Sequence, residues 1–286
     1  MRSIFAIIFF VFVILLIGRN LAFLPKFNLN IDKKTEATDL KNKIKEILKK
    51  QKGTYGVYYA DLNSEESFGI DENQMHTAAS INKLPIITAL YYLADKKYLN
   101  LDDNITLQKE DIQDYGTGSL RYEKPGSIYS LRTLAKLSLK QSDNTAAYII
   151  ASKIGVENIQ KLVYSWGLSQ TDMANNKTTV YDMYLLLKKI YKREITNDAS
   201  AKELLGFLTE TDAEDRLSQI IKNAKVYHKT GDAVGNIHDV GIIEKDGIVF
   251  YVGVMTSDIA DKETETKKAI SEIAKEILDY KINQKY

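Results

Sequence analysis

Residues 225–256 read KVYHKTGDAVGNIHDVGIIEKDGIVFYVGVMT. β-Branched and aromatic residues crowd three runs of this stretch, Lys225 to Thr230, Ile237 to Lys245 and Ile248 to Thr256, which predicts three strands. Asp246-Gly247 joins the last two as a tight hairpin, because its turn needs a residue that accepts positive φ. A matching pattern lies near the other end of the chain, where TYGVYYADL (Thr54 to Leu62) reads as a strand, Asn63 to Glu66 as a turn, and a partner strand follows. Outside these strands stand two amphipathic segments. One runs from Asp39 to Lys52, with Leu40, Ile44, Ile47 and Leu48 on one face and Gly53 as its stop; the other covers about 262–283.

Between the two groups of strands the periodicity is helical. A helix is expected from Ser80 to about Lys97, where Pro85 is tolerable because it sits in the first turns. Further helical segments are expected at 131–141, 143–153, 156–165, 179–192, 198–208 and 216–222. Helix, strands, helical block, strands, helix is the order of an α+β fold. It predicts one antiparallel sheet assembled from both chain ends, flanked by the terminal helices, with an all-helical subdomain beside it.

The chain has 286 residues, 44% hydrophobic and 27% charged, enough for a core that needs neither disulfide nor metal. Its net charge is +1, or −1 without Arg2 and Arg19, so no basic surface points to nucleic acid. Cysteine is absent, which excludes disulfides, thiolate metal sites and a cysteine nucleophile. His76, His228 and His238 show no metal-ligand spacing, and neither metal nor cofactor is expected. Ile4 to Ile17 is an unbroken apolar run behind Arg2, interrupted by Gly18-Arg19-Asn20 and resumed by Leu21 to Leu24. Residues 1–24 read as a signal-anchor or a signal peptide, 25–38 as a polar linker, and 39–286 as the catalytic domain. Both export readings place the domain outside the cytoplasm, tethered to the membrane or secreted.

Three short motifs carry chemistry. Ser80-Ile-Asn-Lys83 places a hydroxyl and an amine about one helical turn apart, so that a lysine of lowered pKa can take the serine proton. Ser142-Asp143-Asn144 lies between two helical segments, where all three residue types also suit a helix N-cap. Lys229-Thr230-Gly231 ends a strand, where a cation and a hydroxyl can hold a carboxylate beside a close backbone approach. Each alone is a weak signal. In this order, at a helix start, a helix–helix loop and a strand, the set resembles class A β-lactamases and penicillin-binding proteins. The surroundings are similar too: His76-Thr-Ala-Ala-Ser80, Gly118-Ser-Leu-Arg-Tyr122 with Pro125-Gly126, and Ala146-Ala147. The resemblance covers about residues 39–286.

The resemblance implies a β-lactamase/transpeptidase-like fold and an acyl-enzyme mechanism. Ser80 would be the acylated nucleophile, Lys83 would take part in its deprotonation, and Ser142 would pass a proton to the leaving nitrogen. Asn144 would bind Lys83 and the substrate amide, while Lys229 and Thr230 would anchor the substrate carboxylate. The backbone N–H groups of Ser80 and Asp232 would form the oxyanion hole beside Gly231. Tyr115 is a candidate for the cleft mouth.

The pattern departs from class A in two places. The first two motifs are 62 residues apart, near the usual spacing, but the second and third are only 87 apart. The segment Trp166 to Thr179 that should carry the deacylating E-x-x-x-N contains no glutamate. Asp172, spaced as D-x-x-x-N with Asn176, is the candidate replacement base. Asp232 places a carboxylate directly after the glycine, where it would repel an anionic substrate unless it points away. The expected function is therefore a serine hydrolase acylated by β-lactams, with deacylation in question. The alternatives are a D-Ala-D-Ala-type peptidase, amidase or esterase acting on cell-wall peptide or small substrates, and an idle membrane-tethered wall-binding module.

Overall fold

A computed structural model describes residues 31–285. The described residues from Leu40 onward form one compact unit. The apolar run of residues 4–24 lies outside the described residues, among which no helix is long and apolar enough to cross a membrane.

The first helix, α1, runs Ile31–Leu48 and so begins eight residues before the expected Asp39, within the stretch read as linker. The strands β1 (Thr54–Asp61) and β2 (Ser67–Ile70) follow, then the two-residue β3 (His76–Thr77), a 3-10 turn Ala79–Asn82 and the helix α2 (Lys83–Asp95). The short strands β4 (Asn104–Thr106) and β5 (Ile128–Ser130) form a side ribbon that sequence reading did not anticipate. The helices α3 (Leu131–Lys140), α4 (Asn144–Ile154) and α5 (Val156–Ser165) come next, then β6 (Lys177–Thr178) and the helices α6 (Val180–Tyr191) and α7 (Asp198–Phe207). The chain closes with β7 (Lys225–Ala233), β8 (Asn236–Lys245), β9 (Ile248–Ser257) and α8 (Glu263–Lys285).

The five long strands form one antiparallel sheet in the order β2-β1-β9-β8-β7. Both chain ends meet in it, through the pairing of Val57 with Val254, as the sequence predicts. Both faces are covered, so the strands are apolar on both sides rather than alternating. Alternate side chains still divide between two cores. Phe250, Val252 and Val254 pack with Ile44 of α1 and with Ile270, Ile273 and Ile277 of α8. Val249, Tyr251 and Met255 pack into the helical block with Leu84, Ile87 and Leu187.

One predicted helix does not form. Residues 216–222 make a turn, because the Asp239 carboxylate accepts the Leu217 N–H (3.0 Å) and because Leu217 and Ile221 are drawn into the core under α8. β7 also continues past Thr230 to Ala233, which sets Gly231 inside the strand. β7 is an edge strand, so one row of its backbone groups faces away from the sheet. The 3-10 turn carrying Ser80 packs against it.

Candidate active site

The close approach of β7 to the Ser80 turn has a simple origin. A Cβ on Gly231 would lie 2.9 Å from Ile81 Cγ1 and 3.1 Å from the Ala78 carbonyl, so any side chain there would force the turn away. Ala79, just before Ser80, holds φ at +50°, and Ser142 holds φ at +55°. Non-glycine residues in this region cost about 1–3 kcal/mol and persist where the surroundings impose them. At Ser142 the twist turns the carbonyl and the hydroxyl toward the same lysine.

That lysine is Lys83, the first residue of α2 and only 3% exposed. Its Nζ stands 2.9 Å from Ser80 Oγ, 2.6 Å from the Ser142 carbonyl, 3.2 Å from Ser142 Oγ and 2.7 Å from Asn144 Oδ1. The Asn144 amide is oriented by its Nδ2, which donates to the Tyr115 carbonyl at 3.0 Å. The two shortest contacts are thus to groups that only accept, and they use two N–H bonds. A neutral amine then has its lone pair free for the Ser80 hydroxyl. Burial, and next the nearby ammonium of Lys229, push Lys83 down to about 6, against an opposing pull from Asp143.

Lys229 is 2% exposed and projects from β7 toward the helical block, with Nζ 3.0 Å from Ser142 Oγ and 2.8 Å from the Thr230 carbonyl. Burial lowers it to about 8, with Asp239 and Asp232 acting in the opposite sense. The Ser142 hydroxyl therefore lies between two amines.

Asp143 holds this loop in place. One oxygen caps α4 by accepting from the Ala146 N–H (2.9 Å), and the other accepts from the Leu120 N–H (2.8 Å). Within Ser142-Asp143-Asn144 the central residue is the N-cap, while its two neighbours face the lysine. Gly118, at φ +111°, leaves room for this, as a Cβ there would lie 2.2 Å from Asp143 Oδ2.

These groups line a cleft of about 570 Å³, which Thr230 and Asp232 also line; Tyr115, 63% exposed, stands at its rim. Ser80, Lys83, Ser142, Asn144, Lys229, Thr230 and Asp232 are thus brought together, with Gly231 as the contact that lets them meet. Asp172 is not brought to them. It is not among the residues lining the cleft, and its two oxygens accept from the Asn175 backbone N–H (3.0 Å) and side-chain Nδ2 (2.8 Å). Its backbone pairs with Lys177 to close a tight turn. The only carboxylates among the described lining residues are Asp212 and Asp232.

Sequence reading missed Arg216. It is 2% exposed, its Nη2 contacts Asp232 Oδ1 at 2.5 Å, and its Nη1 donates to the His238 carbonyl at 2.9 Å. Asp232 therefore points toward a guanidinium. Also missed was the clamp of the 170s turn on the nucleophile turn. The Ala78 N–H donates to the Asn176 carbonyl (2.8 Å), Asn82 Nδ2 donates to Asn176 Oδ1 (2.8 Å), and β3 pairs with β6. A third unforeseen group is His228, wholly buried between Asp239 (2.9 Å) and Glu214 (3.1 Å). No local pattern marks any of these, because every partner comes from another element. No group of three or more His, Asp or Glu side chains among the described residues is arranged to hold a metal ion.

A model of the β-lactamase enzyme family matches residues 39–281. The chain belongs to that family. Among curated relatives it is 24% identical to β-lactamase VEB-1 of Pseudomonas aeruginosa, over 87% of this chain and 92% of that one. It is 22% identical to β-lactamase BRO-1 of Moraxella catarrhalis, over 84% and 85%. Among solved structures, PBP-A superposes with a TM-score of 0.80 at 27% identity, over 87% of this chain and 97% of that one. An acyl-enzyme complex of a PBP-A mutant with penicillin G superposes equally well. The TLA-1 extended-spectrum β-lactamase gives 0.80 at 25% identity, over 86% and 99%. The fold is β-lactamase/transpeptidase-like, and the family is one of serine hydrolases that work through an acyl-enzyme.

Proposed function

We propose that this protein is a serine enzyme acylated at Ser80 by β-lactam amides, with a slow second half-reaction. The observation that carries the reading is the Lys83 amine, 2.9 Å from Ser80 Oγ with its two N–H bonds directed at carbonyl-type acceptors. In the first step the Ser80 hydroxyl proton passes to Lys83 Nζ and Oγ bonds to the acyl carbon. The backbone N–H groups of Ser80 and Asp232, the latter on an edge strand, receive the oxyanion. The acyl C–N bond then breaks, and the leaving nitrogen takes a proton from Ser142, which draws one in turn from the lysines beside it. General-base assistance of this kind contributes roughly 10²–10⁴-fold.

Release of the acyl group needs a base that activates water. Asp172 is turned into its own loop and Asp232 is paired with Arg216, so neither of these carboxylates is free to serve as that base. This favours behaviour like that of a penicillin-binding protein, with a cell-wall peptide or a small amide or ester as its own substrate. The intact Ser80–Lys83–Ser142–Lys229 set argues against an idle wall-binding module. Export through residues 1–24, as membrane anchor or cleaved signal, belongs to the proposal and rests on the apolar run behind Arg2.

Intact-mass spectrometry over time after penicillin addition tests both halves. A stoichiometric adduct on Ser80, absent from Ser80→Ala and persisting for many minutes, is the expected result. Rapid disappearance of the adduct with turnover would instead make the protein an efficient β-lactamase. No adduct and no turnover would refute the reading.

A further inference from the structure

Of the two carboxylates among the described lining residues, Asp212 and Asp232, Asp232 is the one in the strand that carries the expected anchor of the ligand. It follows Gly231 on β7, beside the Lys229 and Thr230 pair that would hold a substrate carboxylate. On β7, Thr230 and Asp232 share one side of the strand, and Lys229 and Gly231 share the other. The Asp232 carboxylate meets Arg216 of the 209–224 loop at 2.5 Å. Lys229 is the buried cation at this end of the cleft, and Arg216, which Asp232 contacts, is a second whose charge is already met. Asp215 Oδ1 lies 3.2 Å from its Nε, and the His238 carbonyl accepts from Nη1. The Asp232 side chain nevertheless remains 52% exposed, so its charge also reaches the cleft.

A substrate carboxylate at this end would meet the Lys229 ammonium, but also a guanidinium already paired and the negative charge of the half-exposed Asp232. Like charges in a partly buried site repel. A neutral ester or amide meets neither penalty, and it can still accept from Lys229 or Thr230. We propose that Asp232 is a specificity-determining residue that holds Arg216 away from the substrate and sets the cleft to favour acyl substrates without a free carboxylate at the Lys229–Thr230 end. This rests on the acyl-enzyme reading and names the substrate class of that same site.

The test compares second-order acylation of Ser80 by benzylpenicillin and by its methyl ester, read by intact mass. In both compounds the same lactam C–N bond breaks and the same Ser80 ester forms, so only the carboxylate differs. The unmodified chain should react with the ester at least as fast as with the free acid. Asp232→Asn, which keeps an oxygen for Arg216 but removes the charge, should move the ester-to-acid ratio toward the acid by tenfold or more. A wild-type preference for the free acid overturns the proposal, and that arm needs no variant to fold. So does a ratio unchanged by Asp232→Asn in a protein whose melting midpoint is retained. Absence of any Ser80 adduct with both compounds is a different result and removes the acyl-enzyme reading itself.

Discussion

Lys83 Nζ stands 2.9 Å from Ser80 Oγ in a site where its other close partners are the Ser142 carbonyl and Asn144 Oδ1. Neither of those partners can donate, and of the two hydroxyls in reach of a neutral amine Ser80 Oγ is the nearer, with Ser142 Oγ at 3.2 Å. With Lys83 held near 6, the free base predominates at neutral pH. The geometry and the titration thus assign the same direction to proton transfer.

Replacement of Lys83 separates charge from basicity. Lys83→Arg keeps a cation but not a free base, and Arg is not deprotonated in proteins. Acylation by labelled penicillin should fall by roughly 10²–10⁴-fold in both Lys83→Arg and Lys83→Ala. Retention of wild-type rates by Lys83→Arg would show that the lysine acts only through its charge.

The acylation rate should trace a bell against pH. Deprotonation of Lys83 raises the rate as pH climbs through about 6, and loss of the Lys229 ammonium lowers it above about 8. Because the Lys229 charge helps to depress Lys83, Lys229→Met should remove the alkaline limb and shift the acid limb to higher pH. Stopped-flow acylation from pH 5 to pH 9.5 measures both.

Stability should depend on pH through His228. Burial opposes its charging, but Asp239 and Glu214 together outweigh this and raise it to about 9, from an ordinary value of 6.5. The protonated form is therefore favoured by folding. That contribution is complete below pH 6.5 and is lost as pH rises through 9. Glu214 has the opposite dependence. Desolvation raises it, the hydrogen bond and charge of His228 prevail, and it settles at about 2, so its contribution is complete above 4.5 and lost as pH falls through about 2. The melting midpoint should decline between pH 6.5 and 9 in the native chain, and the decline should flatten in His228→Asn.

Gly231→Ala should slow acylation at least tenfold while the sheet persists. The added methyl would meet Ile81 Cγ1 at 2.9 Å and the Ala78 carbonyl at 3.1 Å, pushing the nucleophile turn from β7. Overpacking of this order costs about 1–3 kcal/mol, which circular dichroism melting would register. Unchanged acylation would mean that the turn yields without moving Ser80.

Asp172→Asn should leave adduct lifetime unchanged, because the carboxylate is spent on the Asn175 backbone and side chain outside the cleft. A severalfold longer lifetime in this variant would restore Asp172 as the deacylation base.

The chain's local patterns were sufficient for what neighbours in sequence decide. The β-branched and aromatic runs and the Asp246-Gly247 turn specify the hairpin, Asp143 specifies a helix start, and the three motifs point to the chemistry, because each depends on residues close to one another in sequence. The helix expected at 216–222 shows where that logic ends. Its periodicity is real, but Leu217 and Ile221 answer to the core beneath α8, and Asp239, 22 residues away, takes the Leu217 N–H.

Proton affinity and charge pairing are the other part. Nothing in Ser80-Ile-Asn-Lys83 sets the lysine near 6; burial and Lys229, brought from the far end of the chain, do so. Asp232 reads as an unpartnered charge until Arg216 is placed 2.5 Å from it, and Asp172 reads as a base until its oxygens are found turned into a loop. Sequence therefore determined which groups the protein carries and the fold that gathers them. Tertiary structure alone decided their protonation and their partners, because electrostatic energies depend on distance and burial in space and not on separation along the chain.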